Sequence, residues 1–215
     1  MIIRILIGVI VASSLSSAAL AQEGQGDPAP ELETQGAEPA ATSEGMDLEG
    51  LSEEEVRAEL LDTLFERLSK PETQDWEEVQ NRINALWNQS GSDSMDLLSR
   101  RADRAMQAER YDVALLHLND LVRLAPGYAE GWNKRATLYF VQGDYGRSLE
   151  DIARTLKLEP RHFGALAGLG VILDRSGDSE GALEAYRRAV RIHPNLPGAQ
   201  DGIKKLEKEV EGRRL

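Results

Sequence analysis

Apolar residues that recur every three or four positions mark the amphipathic helices of this chain. A first stripe follows Ser52 and Glu55, which together match a capping box that satisfies exposed backbone amides at a helix start, and Pro71 ends it. A second stripe begins near Asp75. The two stripes predict a helical hairpin over residues 51–94, with its apolar positions at Val56, Leu60, Leu61, Leu64, Phe65 and Leu68, then at Trp76, Val79, Ile83, Leu86 and Trp87.

The helical pattern then repeats with a fixed period. Pro126, Pro160 and Pro194 are 34 residues apart, and each closes a similar five-residue segment that begins with an apolar and then a basic residue. Such a period predicts stacked structural repeats, here at residues 95–128, 129–162 and 163–196. Small residues occur at matching positions where two helices would approach closely, with bulky residues four positions after the second set. The small residues are Ala102, Ala136 and Gly170, then Ala114, Ser148 and Ala182, and the bulky ones are Leu118, Ile152 and Tyr186.

These units resemble the tetratricopeptide repeat family over about half of the chain. Large residues occupy the fourth position of each unit (Leu98, Trp132 and Leu166), small residues the eighth, and proline the thirty-second. Two positions depart from the family pattern: Arg101 and Arg135 replace the usual leucine at the seventh place, and Leu121 and Thr155 replace the usual alanine at the twenty-seventh. The resemblance implies a solenoid of helix-turn-helix units that binds a protein segment in its concave groove.

The regions on either side of the repeats do not fit the register. On the hairpin, the register would place Leu68 at the small eighth position and Pro71 inside a helix, so the hairpin is not a further repeat. We predict that it caps the first repeat, because the terminal units of a solenoid need a cover. Pro197 suits the first turn of a second capping helix, over residues 197–215, with its stripe at Ala199, Ile203, Leu206 and Val210. The predicted fold class is therefore all-α, an α-solenoid of three 34-residue helix-turn-helix repeats with helical caps at both ends.

Residues 1–21 have the features of an export signal. Arg4 precedes an apolar run from Ile5 to Ala12, and Ala19-Leu20-Ala21 supplies the small residues that a signal peptidase requires. The run is shorter than the ~20 residues that span a bilayer, and the chain has no cysteine for a lipid anchor. We predict cleavage after Ala21 and no stable membrane anchor afterwards, with an uncleaved anchor as the alternative.

Residues 22–50 differ from the rest in composition. They hold eight acidic residues and three prolines but no basic or aromatic residue. Such a segment cannot bury enough apolar surface to offset the entropy lost on ordering. We predict a disordered acidic linker, which acts either as a solvated spacer or as an acidic tether.

Composition and the placement of reactive residues exclude several function classes. The 215 residues carry a net charge of −12, the wrong sign for binding a nucleic-acid backbone. The absence of cysteine excludes disulfides and thiolate metal sites. His117, His162 and His193 lie far apart, with no carboxylate at metal-ligand spacing. The glycine-rich run from Gly164 to Gly170 lacks the lysine of a phosphate-binding loop. We therefore predict that the chain is not an enzyme and that it has no catalytic residue, metal or cofactor.

The family resemblance also implies where a partner would bind. In the family, six places on the first helix of each repeat line the concave face. An apolar strip edged by cations is expected there, which favours a protein segment with apolar anchors and at least one carboxylate. The lysine and asparagine pattern of the family's carboxylate clamp for chaperone tails is absent. The candidate partner-binding residues are Arg100, Asp103, Met106, Asn133, Lys134, Thr137, Phe140, Val141, Val171 and Arg175.

The sequence is compatible with two interpretations of function. Stretches such as Glu159 to Leu166 also resemble small exported repeat proteins of proteobacteria, which makes the periplasm the expected compartment. We expect a protein-protein interaction module there. The alternative is a structural role, in which the chain forms a homo-oligomer or an envelope scaffold through its convex or capping faces. For the groove residues, the alternatives to partner binding are that they pack against the chain's own amino-terminal linker or that they are simply tolerated on the surface.

Overall fold

The computed structural model describes the backbone of residues 52–213 and the side chains of residues 52–209. The predicted signal peptide and acidic linker, residues 1–21 and 22–50, lie outside this range.

Over residues 52–213 the chain is built from helices alone, which confirms the predicted all-α class. Two helices form the hairpin, three pairs follow with the predicted period, and one helix ends the array. None of the helices in this range is both long and apolar enough to cross a membrane. The helices are α1 (Glu53–Leu68), α2 (Trp76–Trp87), α3 (Asp93–Gln107), α4 (Tyr111–Leu124), α5 (Ala129–Val141), α6 (Tyr145–Leu158), α7 (Phe163–Arg175), α8 (Ser179–Ile192) and α9 (Pro197–Arg213).

The predicted start signals of α1 and α9 are confirmed. The backbone amide of Ser52 donates to Glu55 Oε2 at 2.8 Å, and the amide of Glu55 donates to Ser52 Oγ at 3.3 Å. These two bonds form the capping box that the sequence predicted. Pro197 is the first residue of α9, where its missing N–H removes no helical hydrogen bond.

The turn inside each repeat needs a left-handed backbone at one position. Gly143 and Gly177 have φ of 78° and 83°, and Glu109 has φ of 55° at the equivalent place of the first repeat. In each turn the next amide bonds back to a carbonyl near the end of the first helix, as Arg110 N does to Ala105 O at 2.8 Å. This arrangement satisfies carbonyl groups that the helix end would leave open. Glycine adopts it without steric cost, whereas Glu109 does not.

Replacing Glu109 by glycine is expected to stabilise the protein. Removing the Cβ relieves the left-handed strain at φ of 55°, and the gain exceeds the added freedom of the unfolded chain, for a net increase of about 1 kcal/mol in the free energy of unfolding. Urea denaturation measures it. Glu109→Ala is the control, because it removes the charged side chain but keeps the Cβ. Equal stabilisation by alanine and glycine would show that backbone strain is not the cause.

The small residues of the repeat register lie where paired helices touch. Ala102, Ala114, Ala136, Ser148 and Ala182 are each exposed by 2% or less, as the sequence predicted. The Ser148 hydroxyl on α6 donates to the backbone oxygen of Ala136 on α5 at 2.8 Å. A serine is therefore accommodated in this position because the facing helix supplies its acceptor.

One aromatic ring joins the third repeat to the last helix. Tyr186 of α8 is 4% exposed. A Cβ added at Gly170 of α7 would lie 2.6 Å from its Cε1, and a Cβ added at Gly202 of α9 would lie 2.5 Å from its Cε2. The ring is thus held between two glycines. Burial, with the nearby charge of Asp174, raises the pKa of Tyr186 to about 12. Gly170 was predicted from the register, whereas Gly202 was not.

The predicted placement of the hairpin over the first repeat is wrong. The apolar stripes of α1 and α2 form one core that includes Phe163 of the third repeat, with Ile192 and Leu196 at its edge. The third repeat offers apolar side chains at this edge, whereas the outer face of the first repeat presents exposed Arg101 and Arg104. Burial of apolar surface therefore favours the third repeat.

Polar contacts fix the hairpin in this place. Arg161 Nη1 bonds to Asp62 of α1 at 2.6 Å, and His193 Nε2 lies 2.9 Å from Gln80 Oε1 of α2. His193 is fully buried beside Trp76, with ring centroids 5.3 Å apart. Burial lowers the pKa of His193 to about 4, so the ring is neutral at neutral pH. Contacts of this kind bridge two parts of the chain about 100 residues apart.

Candidate functional site

The groove face is the set of side chains at the second, fifth, sixth, ninth, twelfth and thirteenth places of each repeat, which lie on α3, α5 and α7. At its centre, Lys134 Nζ on α5 contacts Asp103 Oδ2 on α3 at 2.6 Å. The side chain of Lys134 is only 10% exposed. The ion pair ties the first two repeats together, and it leaves Lys134 without the free charge that the sequence reading assigned to the rim of the groove.

A second polar cluster lies beside this pair. His162 Nε2 lies 2.9 Å from Glu130 Oε2, and Asn133 Nδ2 donates to the same oxygen at 3.1 Å. The amide of Ala165 donates to His162 Nδ1 at 3.1 Å, so a neutral His162 carries its proton on Nε2 and donates it to Glu130. Burial opposes ionisation of Glu130, but the bonds from His162 and Asn133 and the charge of Lys134 outweigh it and lower its pKa. Glu130 is a fixed anion in the groove face.

The hairpin contributes a wall to this cluster. The ring of Trp87 stacks on His162, with centroids 4.2 Å apart and planes 10° apart. Sequence reasoning did not connect Trp87 with His162 and Glu130, because that contact depends on how the hairpin docks. The sequence carried one signal for the contact between Glu130 and His162. The two residues are separated by nearly one repeat length, which places them at successive repeat junctions.

The expected apolar strip is only partly exposed. Val141 is 45% exposed, but Met106, Phe140 and Val171 are half-buried. Met106 packs on the core of the first repeat, Phe140 on that of the second and Val171 on that of the third. The strip is shorter than predicted because these three side chains also fill space between paired helices.

Two further predicted residues are used within the protein. The hydroxyl of Thr137 donates to the backbone oxygen of Asn133 in its own helix at 3.0 Å. The side-chain amide of Asn133 is occupied by Glu130, which leaves its carbonyl oxygen for another donor. Arg100 on α3 is exposed, and no carboxylate within residues 52–209 pairs with it.

An arginine and two aromatic rings assemble at the carboxyl end of α5 and α7. The guanidinium of Arg175 lies 5.0 Å from the ring centroid of Phe140, and its Nη1 donates to Tyr145 Oη at 2.8 Å. The rings of Phe140 and Tyr145 are 5.7 Å apart. We call Phe140, Tyr145 and Arg175 the Arg175 cluster. Tyr145, which begins α6 just after the turn, was not among the predicted site residues.

The Arg175 cluster combines features that suit recognition of a protein segment. Arg175 remains exposed, and the bond to Tyr145 uses only one of the five guanidinium N–H groups. The remaining N–H groups can donate to a carboxylate in a bidentate arrangement. The adjoining exposed Val141 offers an apolar surface. Of the ten predicted residues, the structure therefore brings Phe140, Val141 and Arg175 to one accessible place.

Comparison with known proteins agrees with the repeat register. A family model described as tetratricopeptide repeat matches residues 99–150 and 133–197. A TPR repeat-containing protein of Rhizobium etli is 41% identical over 155 residues, which cover 72% of this chain and 76% of that protein.

Solved structures share the fold at low sequence identity. The Sgt2 TPR domain from Aspergillus fumigatus is similar with a TM-score of 0.53 and 22% identity, covering 57% of this chain and 83% of that one. The first TPR of Spaghetti (RPAP3), whose structure has an HSP90 peptide bound, is similar with a TM-score of 0.53 and 18% identity, covering 54% of this chain and 93% of that one.

Proposed function

Because the chain belongs to the tetratricopeptide repeat family, we propose that it is a non-enzymatic protein-binding module that holds a protein segment on its groove face. The family fold supports this proposal, as does the peptide bound to the first TPR of Spaghetti. The HSP90 peptide is a ligand of that protein, and the proposal does not assign it to this chain.

The Arg175 cluster is the observation that carries the proposal. An exposed cation lies there beside two aromatic rings, and the exposed Val141 follows Phe140 directly in the chain. A partner segment places a carboxylate against Arg175 and an apolar side chain against Val141 and Phe140. Anchors of this kind, an aromatic surface beside an arginine, dominate the free energy of many protein interfaces.

The centre of the groove face has a different role in this proposal. Lys134 is neutralised by Asp103, and the anionic Glu130 repels a carboxylate that approaches it. These charges therefore direct the carboxylate of a partner toward Arg175. The pair of Asp103 and Lys134 joins α3 to α5, and Asn133 and Thr137 bond within α5. Met106 and Val171 pack on the cores beneath the groove face.

We place this activity in the periplasm, after removal of residues 1–21. The support is the run of signal features that ends at Ala19-Leu20-Ala21.

Partner recovery by the mature chain tests the site. Crosslinking to the mature protein in a periplasmic extract, followed by quantitative mass spectrometry, is expected to recover partners at least tenfold less well with Arg175→Ala than with the parent. The reason is the loss of a charge-assisted hydrogen bond, of about 1.5 to 3 kcal/mol. Val141→Asp is expected to act in the same direction. Because Val141 is exposed, that variant leaves the core unchanged.

Arg123→Ala is the matched control. Arg123 is an exposed arginine on α4 whose one ion pair within residues 52–209 is with Asp120 of its own helix, so partner recovery is expected to stay at the parental level. Each variant is first shown to melt like the parent. Undiminished recovery with both Arg175→Ala and Val141→Asp would move the binding site away from the Arg175 cluster.

A further inference from the structure

The first repeat exposes a helix face that the other two repeats bury. The third and tenth places of the first helix hold Gly131 and Leu138 in the second repeat, both buried. A Cβ added at Gly131 would lie 3.3 Å from Leu121 of α4, so this face packs against the second helix of the preceding repeat. The equivalent residues of the third repeat, Ala165 and Ile172, are each 1% exposed.

In the first repeat no helix of residues 52–213 lies in front of this face, because the hairpin docks on the third repeat instead. Its third place is Leu97, which is 41% exposed, and its tenth is the exposed Arg104. Arg100 and Arg101 lie beside them and are exposed as well. Within residues 52–209 no carboxylate pairs with any of these three arginines. We call Leu97, Arg100, Arg101 and Arg104 the basic end face.

The outer side of α1 carries the opposite charge. Its apolar stripe is buried in the hairpin core, which turns its carboxylates to solvent. Asp62 and Glu66 pair with Arg161 and Lys70, whereas the side chains of Glu54 and Glu59 have no cationic partner in the described part of the chain. The exposed carboxylates of this acidic side are Glu54, Glu55, Glu59, Asp62 and Glu66.

The two faces also match in spacing. Arg101 and Arg104 are three residues apart on α3, and Glu59 and Asp62 are three residues apart on α1, with Glu66 one turn further along the same ridge. Residues at these intervals form one ridge along a helix. A helix laid along the basic end face would therefore meet the arginines with carboxylates at the same repeat distance.

We propose that the occupant of the basic end face is α1 of a second copy of this chain. Both faces are present in every copy, so a two-fold dimer contains the contact twice. The duplication matters because a single contact between two such helices is small, whereas stable interfaces bury about 1,600 Å² in total. The charged ridges set the register of this contact. This association goes beyond binding at the groove face and does not depend on it.

Sedimentation velocity of the full mature chain tests the proposal. We expect a monomer-dimer equilibrium whose dissociation constant rises at least tenfold between 50 and 500 mM salt, because exposed charges are screened within about 4 Å at the higher concentration. Arg101→Glu with Arg104→Glu is expected to weaken the dimer at least tenfold at low salt. Lys204→Glu with Lys208→Glu is the matched control, since it changes the net charge equally on the exposed side of α9 and should leave the dimer unchanged.

A charge exchange identifies the occupant. Glu59→Arg with Glu66→Arg should also weaken the dimer when tested alone, because arginines then face arginines. An equimolar mixture with Arg101→Glu/Arg104→Glu should restore dimers, since in the mixed pair both contacts again join opposite charges. Each variant is first shown to melt like the parent.

Three results would overturn the proposal. The first is a monomer at every concentration up to about 100 μM, which would mean that a second copy does not bind the basic end face. The second is a dimer that resists reversal of the arginines. The third is weakening by both variants without recovery in the mixture, which would exclude α1 as the occupant.

Discussion

Replacing Trp87 by alanine is expected to lower the free energy of unfolding by about 3 to 5 kcal/mol, the usual cost of removing a buried tryptophan. Trp87 is 6% exposed and contacts the rings of Phe65, His162 and Phe163. It therefore joins the hairpin core to the third repeat. Urea denaturation gives the stability, and hydrogen exchange should show lost protection in α1 and α2 first.

Two other substitutions separate docking of the hairpin from general damage. Trp87→Phe keeps most of the ring packing and removes an indole N–H that lacks a hydrogen-bond partner, so its cost should stay below about 1.5 kcal/mol. Trp132→Ala removes a half-buried ring on the second repeat and should leave protection of α1 and α2 unchanged. Unaltered protection of the hairpin in Trp87→Ala would contradict its docking on the third repeat.

Gly170→Ala is expected to destabilise the protein by about 1 to 3 kcal/mol, although alanine is a better helix former than glycine. The added methyl would lie 2.6 Å from the Tyr186 ring, and the ring cannot retreat because Gly202 of α9 lies against its other edge. Overpacking of this kind forces side chains or helices to shift. Because each repeat is supported by its neighbours, thermal melts should show loss of the third repeat and of α9 together.

Gly168→Ala in the same helix is the matched control. A Cβ at Gly168 would lie 3.8 Å from Ile152, which is an ordinary contact. The gain in helix propensity then dominates, and stability should rise by up to about 1 kcal/mol. If both variants melted at the same temperature, the close contact with Tyr186 would carry no energetic weight.

The sequence predicted those contacts that join segments close together in the chain. The 34-residue register marked Gly170 and Ala136 as helix contacts, because paired helices of one repeat are neighbours in the chain. The structure places Gly170 against Tyr186 and Ala136 against Ser148. The register did not locate the hairpin. An apolar stripe shows which side of a helix is buried, but it does not identify the surface that buries it.

One signal for the hairpin was present in the sequence. Arg101 stands where the family has leucine, and Arg104 stands where the later repeats have buried Leu138 and Ile172. A face rich in arginine is a poor place to dock an apolar hairpin, since the guanidinium groups would lose their hydration. The departure from the family pattern therefore argued against a cap on the first repeat.

The candidate site was predicted in outline only. Helix periodicity placed Lys134 and Arg175 on the groove face. It could not show that Asp103 pairs with Lys134 or that Arg175 donates to the Tyr145 hydroxyl. Such pairings depend on side-chain conformations and on distances between helices. Tyr145 was missed for the same reason, since it lies on the second helix of its repeat and the prediction considered only the first helices.

The docking of α1 and α2 on the third repeat sets an order of events during translation. Asp62 pairs with Arg161 and Gln80 with His193, at separations of 99 and 113 residues, whereas the repeats themselves pack on their neighbours. At about 5 to 20 residues per second, the ribosome completes the partners of the hairpin roughly 5 to 20 s after the hairpin itself. The hairpin is thus synthesised first and packed last. Until the third repeat emerges, the apolar side of α1 and α2 is an unfilled binding surface on the nascent chain, open to chaperones.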